Sequence, residues 1–136
     1  MAIIINRTIT DDASLATFEV VDDGGGNTGL VVVDASSLSG TSGLGTELLR
    51  VINVTALVCD QSDAGGMVEL LWDDGASGEL FLTLPRGVTQ LNNLGFSPTV
   101  INSTGDILLN SDGNLAFTLR FSVEKIYGFP LSMADI

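Results

Sequence analysis

The chain contains no histidine, one cysteine and one lysine. Without histidine there is no side chain that titrates near neutral pH on its own, and the commonest metal ligand is missing. Ser–His–Asp and Cys–His catalytic arrangements are therefore excluded outright. A single cysteine, Cys59, rules out an intrachain disulfide and fits folding in a reducing compartment. It sits in an apolar run with no cation nearby in sequence, so a small buried hydrophobe is expected there. Aromatic residues make up 6 % of the chain, few for gripping a sugar ring. No apolar run approaches the roughly 18 residues of a membrane span. The apolar start, residues 1–5, lacks a basic leader and a cleavage site and is not read as a signal peptide. The triplets at Asn6, Asn53 and Asn102 are read as chance matches to a glycosylation pattern.

What is present is acid, glycine and short β-like runs. Seventeen Asp and Glu face five Lys and Arg, a formal net charge of -12. That charge repels phosphate backbones and anionic lipid heads, so neither nucleic acid nor membrane is an expected partner. Self-association must overcome it through apolar contact or salt screening. A 136-residue chain that is 45 % hydrophobic has the length of one domain and enough apolar material for a core.

Residues 2–10 read as an N-terminal strand or arm, and 15–21 alternate as a strand. A Gly/Asn loop follows at 22–27, a short strand at 30–33 and a Ser/Gly-rich stretch at 36–46. Residues 49–59, 67–72 and 79–84, separated by turn-forming residues, predict a three-strand antiparallel meander ended by Pro85. Residues 88–99 look irregular, and one helical turn fits 46–51. Residues 106–110 and 115–126 flank an Asp-Gly turn and predict a hairpin. In the last strand Phe117, Leu119, Phe121 and Val123 share one face, with Val54, Ala56 and Val58 as companions in the core. The fold expected is all-β: an antiparallel β-sandwich, jelly-roll or barrel of about eight strands. It forms a single domain over residues 1–136, with an N-terminal arm (1–12) and a C-terminal tail (128–136).

The chemistry is sparse. The Gly-rich run 40–45 lacks the Gly-Lys-Ser/Thr of a phosphate loop. Lys125, near the end of a strand, is expected to be solvated. Asp22, Asp23 and Asn27, Asp60 and Asp63, and Asp73 and Asp74 place oxygen ligands in loops, but at no EF-hand spacing. Ordinary acidic turns are the plainer reading, and no cofactor or metal site is assigned. Trp72 reads as a core or interface anchor. The apolar ends, Ile3, Ile4 and Ile5 and then Phe129 and Leu131, suit docking on a neighbouring subunit, with an edge strand of the same domain as the plainer alternative. No catalytic residue emerges, and the chain is read as a non-enzyme.

Several segments resemble small virion proteins of tailed phages of aquatic bacteria. They are Leu71-Trp72-Asp73, Leu84-Pro85-x-Gly87, the run from Asn102 to Leu109, the strand ending near Glu124-Lys125, and Asn6-Arg7-x-Ile9-x-Asp11-Asp12. The resemblance implies a capsid decoration (cement) protein made in the host cytoplasm and carried in the virion. Its expected partner is the major capsid protein or another virion protein, with a homo-oligomer, by analogy a trimer. The alternatives are a neck, tail or fibre component of the same particle, and a carbohydrate- or calcium-binding β-module.

Overall fold

The structure, a computed structural model, describes residues 3–41, 47–60, 67–75, 77–98, 104–113 and 115–129. Nine strands follow one another: β1 (Ile3–Asp11), β2 (Leu15–Asp22), β3 (Asn27–Val33), β4 (Leu48–Asp60), β5 (Val68–Trp72), β6 (Glu79–Leu84), β7 (Gly87–Leu91), β8 (Ile107–Ser111) and β9 (Leu115–Tyr127). One 3-10 turn, Ala35–Ser37, follows β3 and is capped by the Asp34 carboxylate on the Ser36 N–H. The strands form two antiparallel sheets. Sheet A has the order β1-β2-β9-β4-β7, and sheet B the order β3-β8-β5-β6. The sheets do not close into a barrel, so of the expected architectures the open sandwich is the one formed.

Period-two alternation determines which side chains go inward. On β9, Leu115, Phe117, Leu119, Phe121, Val123 and Lys125 all point into the sandwich. Val54, Ala56 and Val58 of β4 join them, as do Ala16, Phe18 and Val20 of β2. Phe18 and Phe121 are register partners, and their rings stack at 5.4 Å. Sheet B contributes Val68, Leu70, Trp72, Ile107 and Leu109 to the same core. Replacing Phe121 by alanine leaves a void between β2 and β4 and is expected to cost about 3–4 kcal/mol. Urea unfolding measures this; a wild-type midpoint would refute the inward assignment of β9.

The expected pairing is corrected in two places. The central meander does not form, because β4 belongs to sheet A, where it pairs with β9 and β7, while β5 and β6 pair in sheet B. Residues 106–110 and 115–126 are not a hairpin either: the turn at Asp112, closed by the Leu115 N–H on the Asp112 carbonyl, carries the chain from sheet B to sheet A. In addition, β7 falls in the stretch expected to be irregular, and Leu48 to Val51 are extended in β4 rather than helical. A bulge between Val51 and Asn53 shifts the phase of β4, so that Leu49 and Val51 point inward before it and Val54, Ala56 and Val58 after it.

Candidate functional site

The N-terminal apolar segment is part of the domain. Residues 3–11 form the edge strand β1, paired with β2 from Ile3↔Asp22 to Asp11↔Ala16, so of the two readings, strand or arm, the strand is the one formed. Ile3 and Ile4 lie on that strand, and Ile5 is half-buried opposite Val21. Trp72, read as a core or interface anchor, is buried in the chain's own core, and so is Phe129, read as suited to docking on a neighbouring subunit. The Trp72 ring stacks on Phe81 at 4.8 Å, and Phe81 tilts against Phe96. The Trp72 indole N–H has no acceptor among the described residues. Leu131 lies outside the described residues, as do residues 130–136 of the tail.

Lys125 is the largest departure from expectation. Its side chain is 0 % exposed, not solvated. It keeps the inward phase of Phe121 and Val123, and the ammonium is satisfied where it ends. It donates to Asp11 Oδ1, to the Asp12 carbonyl and to the Ser39 carbonyl at 2.7 Å. The Phe129 ring lies 5.4 Å from Nζ. One cation thus ties the β1–β2 turn, the segment after the 3-10 turn and Phe129, the second residue after β9. Cys59 departs in the opposite direction: it alternates out of the core after Val58 and is exposed.

The acidic loops use their carboxylates locally. Asp22 accepts the N–H groups of Gly24 and Gly25 and the Asn27 amide. Asp73 accepts the Gly75 N–H and Asp74 the Gly78 N–H. Asp60 and Asp63 have no described side chain. Among the described residues, no three His, Cys, Asp or Glu side chains group so as to hold a metal ion.

Asp106 differs from these turn acids. It accepts the Ala35 N–H at 2.8 Å. Burial, followed by repulsion from Asp34 and Asp73, holds its carboxyl above the usual aspartate range despite the hydrogen bonds from Ala35 and Thr104. A raised carboxyl pKa in the fold means that the native state binds the proton more tightly than the unfolded chain. The charge therefore costs stability at neutral pH, and the cost disappears as pH falls through the folded value. Asp106→Asn keeps the acceptor and removes the charge. It is expected to be neutral to stabilising at pH about 7, with its advantage shrinking toward the ordinary aspartate value of about 4. Urea unfolding at both pH values checks this; an equal loss of stability at both would refute it.

The exposed faces carry an order that the linear sequence hides. On the outer face of sheet A, Ile5, Val21, Thr118, Leu57 and Val88 are successive register partners across all five strands. Val88 is 78 % and Leu57 48 % exposed. Beside this row runs a polar one, Arg7, Glu19, Arg120 and Thr55, again in register. Glu19 receives Arg120 at 2.9 Å and Arg7 at 2.7 Å, and these two guanidinium groups, Arg120 first, hold its carboxyl below the usual glutamate range. Arg50 pairs with Glu124 on the same face. Sheet B has a matching row. Val31, Leu108, Leu71 and Leu80 are register partners across its four strands. Val31 is 48 % and Leu80 50 % exposed, and Leu71, though buried, stands apart from the core cluster. Alternation within each strand predicts which residues point outward, but the pairing that aligns them into rows is tertiary. Searches of protein-family models, of curated proteins and of solved structures return no match to the chain.

Proposed function

We propose that this chain is a non-enzymatic structural protein of a virion, a capsid decoration protein whose partner is the major capsid protein. The observation that carries the assembly reading is the apolar row on each outer face, with Val88, Leu80, Leu57 and Val31 left open to solvent. Aligned exposed apolar residues mark surfaces that become covered. A protein bridging joints in a shell against outward pressure needs such area rather than a pocket. The resemblance of the Leu71-Trp72-Asp73 and Asn102-to-Leu109 segments to small phage virion proteins gives the reading its particle.

The test is addition of the purified chain to heads that lack it. Saturable co-sedimentation at a fixed ratio to the major capsid protein, with raised heat tolerance of the heads, is the expected result. A few copies at one vertex would move the chain to the neck or tail. Failure to bind any part of the particle would remove the virion reading.

A further inference from the structure

The two outer faces are complementary to each other in charge as well as both being apolar. Sheet A carries Arg7, Arg50 and Arg120 outward against their partners Glu19 and Glu124, a small positive excess in a chain of net charge -12. Arg7 and Arg120 stand in the row directly beside Ile5, Val21, Thr118, Leu57 and Val88, with only Glu19 between them. Sheet B reverses the sign. Its apolar row is flanked on one side by Glu69, the register partner of Asn110 and Thr83. On the other side, directly after the end of β5, comes Asp73.

The geometry points to heterologous self-association: the outer face of sheet A of one copy stacks on the outer face of sheet B of the next. The apolar rows meet, and the Arg7 and Arg120 guanidinium groups face the Glu69 and Asp73 carboxylates. Like faces would set arginine rows against each other, or carboxylates against carboxylates, which electrostatic complementarity disfavours. The repulsion between copies of net charge -12 is long-ranged and screened beyond about 8 Å at physiological ionic strength, whereas the contacts between the rows are short-ranged. The two faces lie on opposite sides of the sandwich, so each copy keeps one face free after the other is used. Such contacts propagate into a row of copies unless curvature closes it. The inference rests on reading the chain as an assembly protein, not on its place in a particle.

Sedimentation velocity of the purified chain over a range of concentrations tests this. The expected result is growth beyond a dimer as concentration rises. Two surface variants make the test specific: Leu57→Asp with Val88→Asp disables the sheet A face, and Val31→Asp with Leu80→Asp disables the sheet B face. Each variant alone is expected to stay monomeric. Mixed together they are expected to form a one-to-one dimer that grows no further, because each supplies the face the other lacks. Arg120→Glu is expected to weaken association by about tenfold or more. Self-dimerisation of either double variant would show a like-face contact and overturn the proposal. A wild-type chain that stays monomeric at every concentration would do the same. If that monomeric chain still coats heads, the stacking fails and the decoration reading stands.

Discussion

Lys125→Ala is expected to cost about 5 kcal/mol, a large fraction of the 5–15 kcal/mol that holds a typical domain together. The ammonium is fully buried, and its loss strands three acceptors at once: the Asp11 carboxylate and the carbonyls of Asp12 and Ser39. A buried charge left without its partner is costlier than the pair was stabilising. The four-carbon stem also packs in the core, so its removal adds a void. Lys125→Met restores most of that volume but still leaves the Asp11 charge with no cation, only the Ser39 N–H. The informative comparison is therefore Lys125→Met alone, Asp11→Asn alone and the two together. The double variant is expected to lose clearly less than the sum of the singles, since each single change abandons a charge and the double abandons none. Urea unfolding of the four proteins gives the coupling. Strict additivity would mean that the ion pair at Lys125 is not a closed unit and that the single-variant losses are packing alone.

The misreading of Lys125 shows which part of the sequence was legible. Period two along β9 places 115, 117, 119, 121, 123 and 125 on one face, and the structure keeps all six inward. Charge type suggested solvent for Lys125, and phase placed it in the core. Phase prevailed because three oxygens lay within reach where the core ends. Cys59 gives the same lesson in reverse: its apolar neighbours suggested burial, while its position one residue after inward Val58 put it outside. What alternation cannot supply is the partner strand. Both sheets impose the same in–out pattern, so a turn between two alternating runs looks alike whether it makes a hairpin or a crossing between sheets. For that reason alternation and turn chemistry predict β4 beside β5 and β8 beside β9, whereas each pair is split between the sheets. The rows on the outer faces were hidden for the same reason, since Ile5, Leu57 and Val88 become neighbours only through pairing with distant strands. Trp72 and Phe129 are large apolar residues near segment ends, a signal that does not distinguish a core anchor from an interface anchor.

Gly105→Ala is expected to be the most damaging glycine-to-alanine change among the described residues, costing about 5 kcal/mol or more and leaving little folded protein. Gly105 has φ +83, a region that costs an L-residue about 1–2 kcal/mol even in open space. The space is not open. A Cβ there would sit 2.1 Å from the Glu47 carbonyl oxygen and 3.2 Å from the Ala35 Cβ. The first obstacle is backbone, which cannot rotate away as the end of a side chain can. Nor is Gly105 free to retreat. The Thr104 N–H is bonded to the Asp73 carbonyl at 3.0 Å, the Asp106 carbonyl receives the Asp73 N–H at 3.0 Å, and the Asp106 carboxylate holds Ala35 at 2.8 Å. Moving Gly105 outward would loosen the start of β8, the end of β5 and the 3-10 turn together. Gly29 is the control that separates crowding from conformation. Its φ is +63, but an added Cβ meets nothing within 4 Å, so Gly29→Ala is expected to lose only the conformational part, about 1–2 kcal/mol. Soluble yield and urea midpoints of the two variants make the comparison. Equal, small losses for both would show that Glu47 does not press on Gly105 as described, and that the segment entering β8 has room to move.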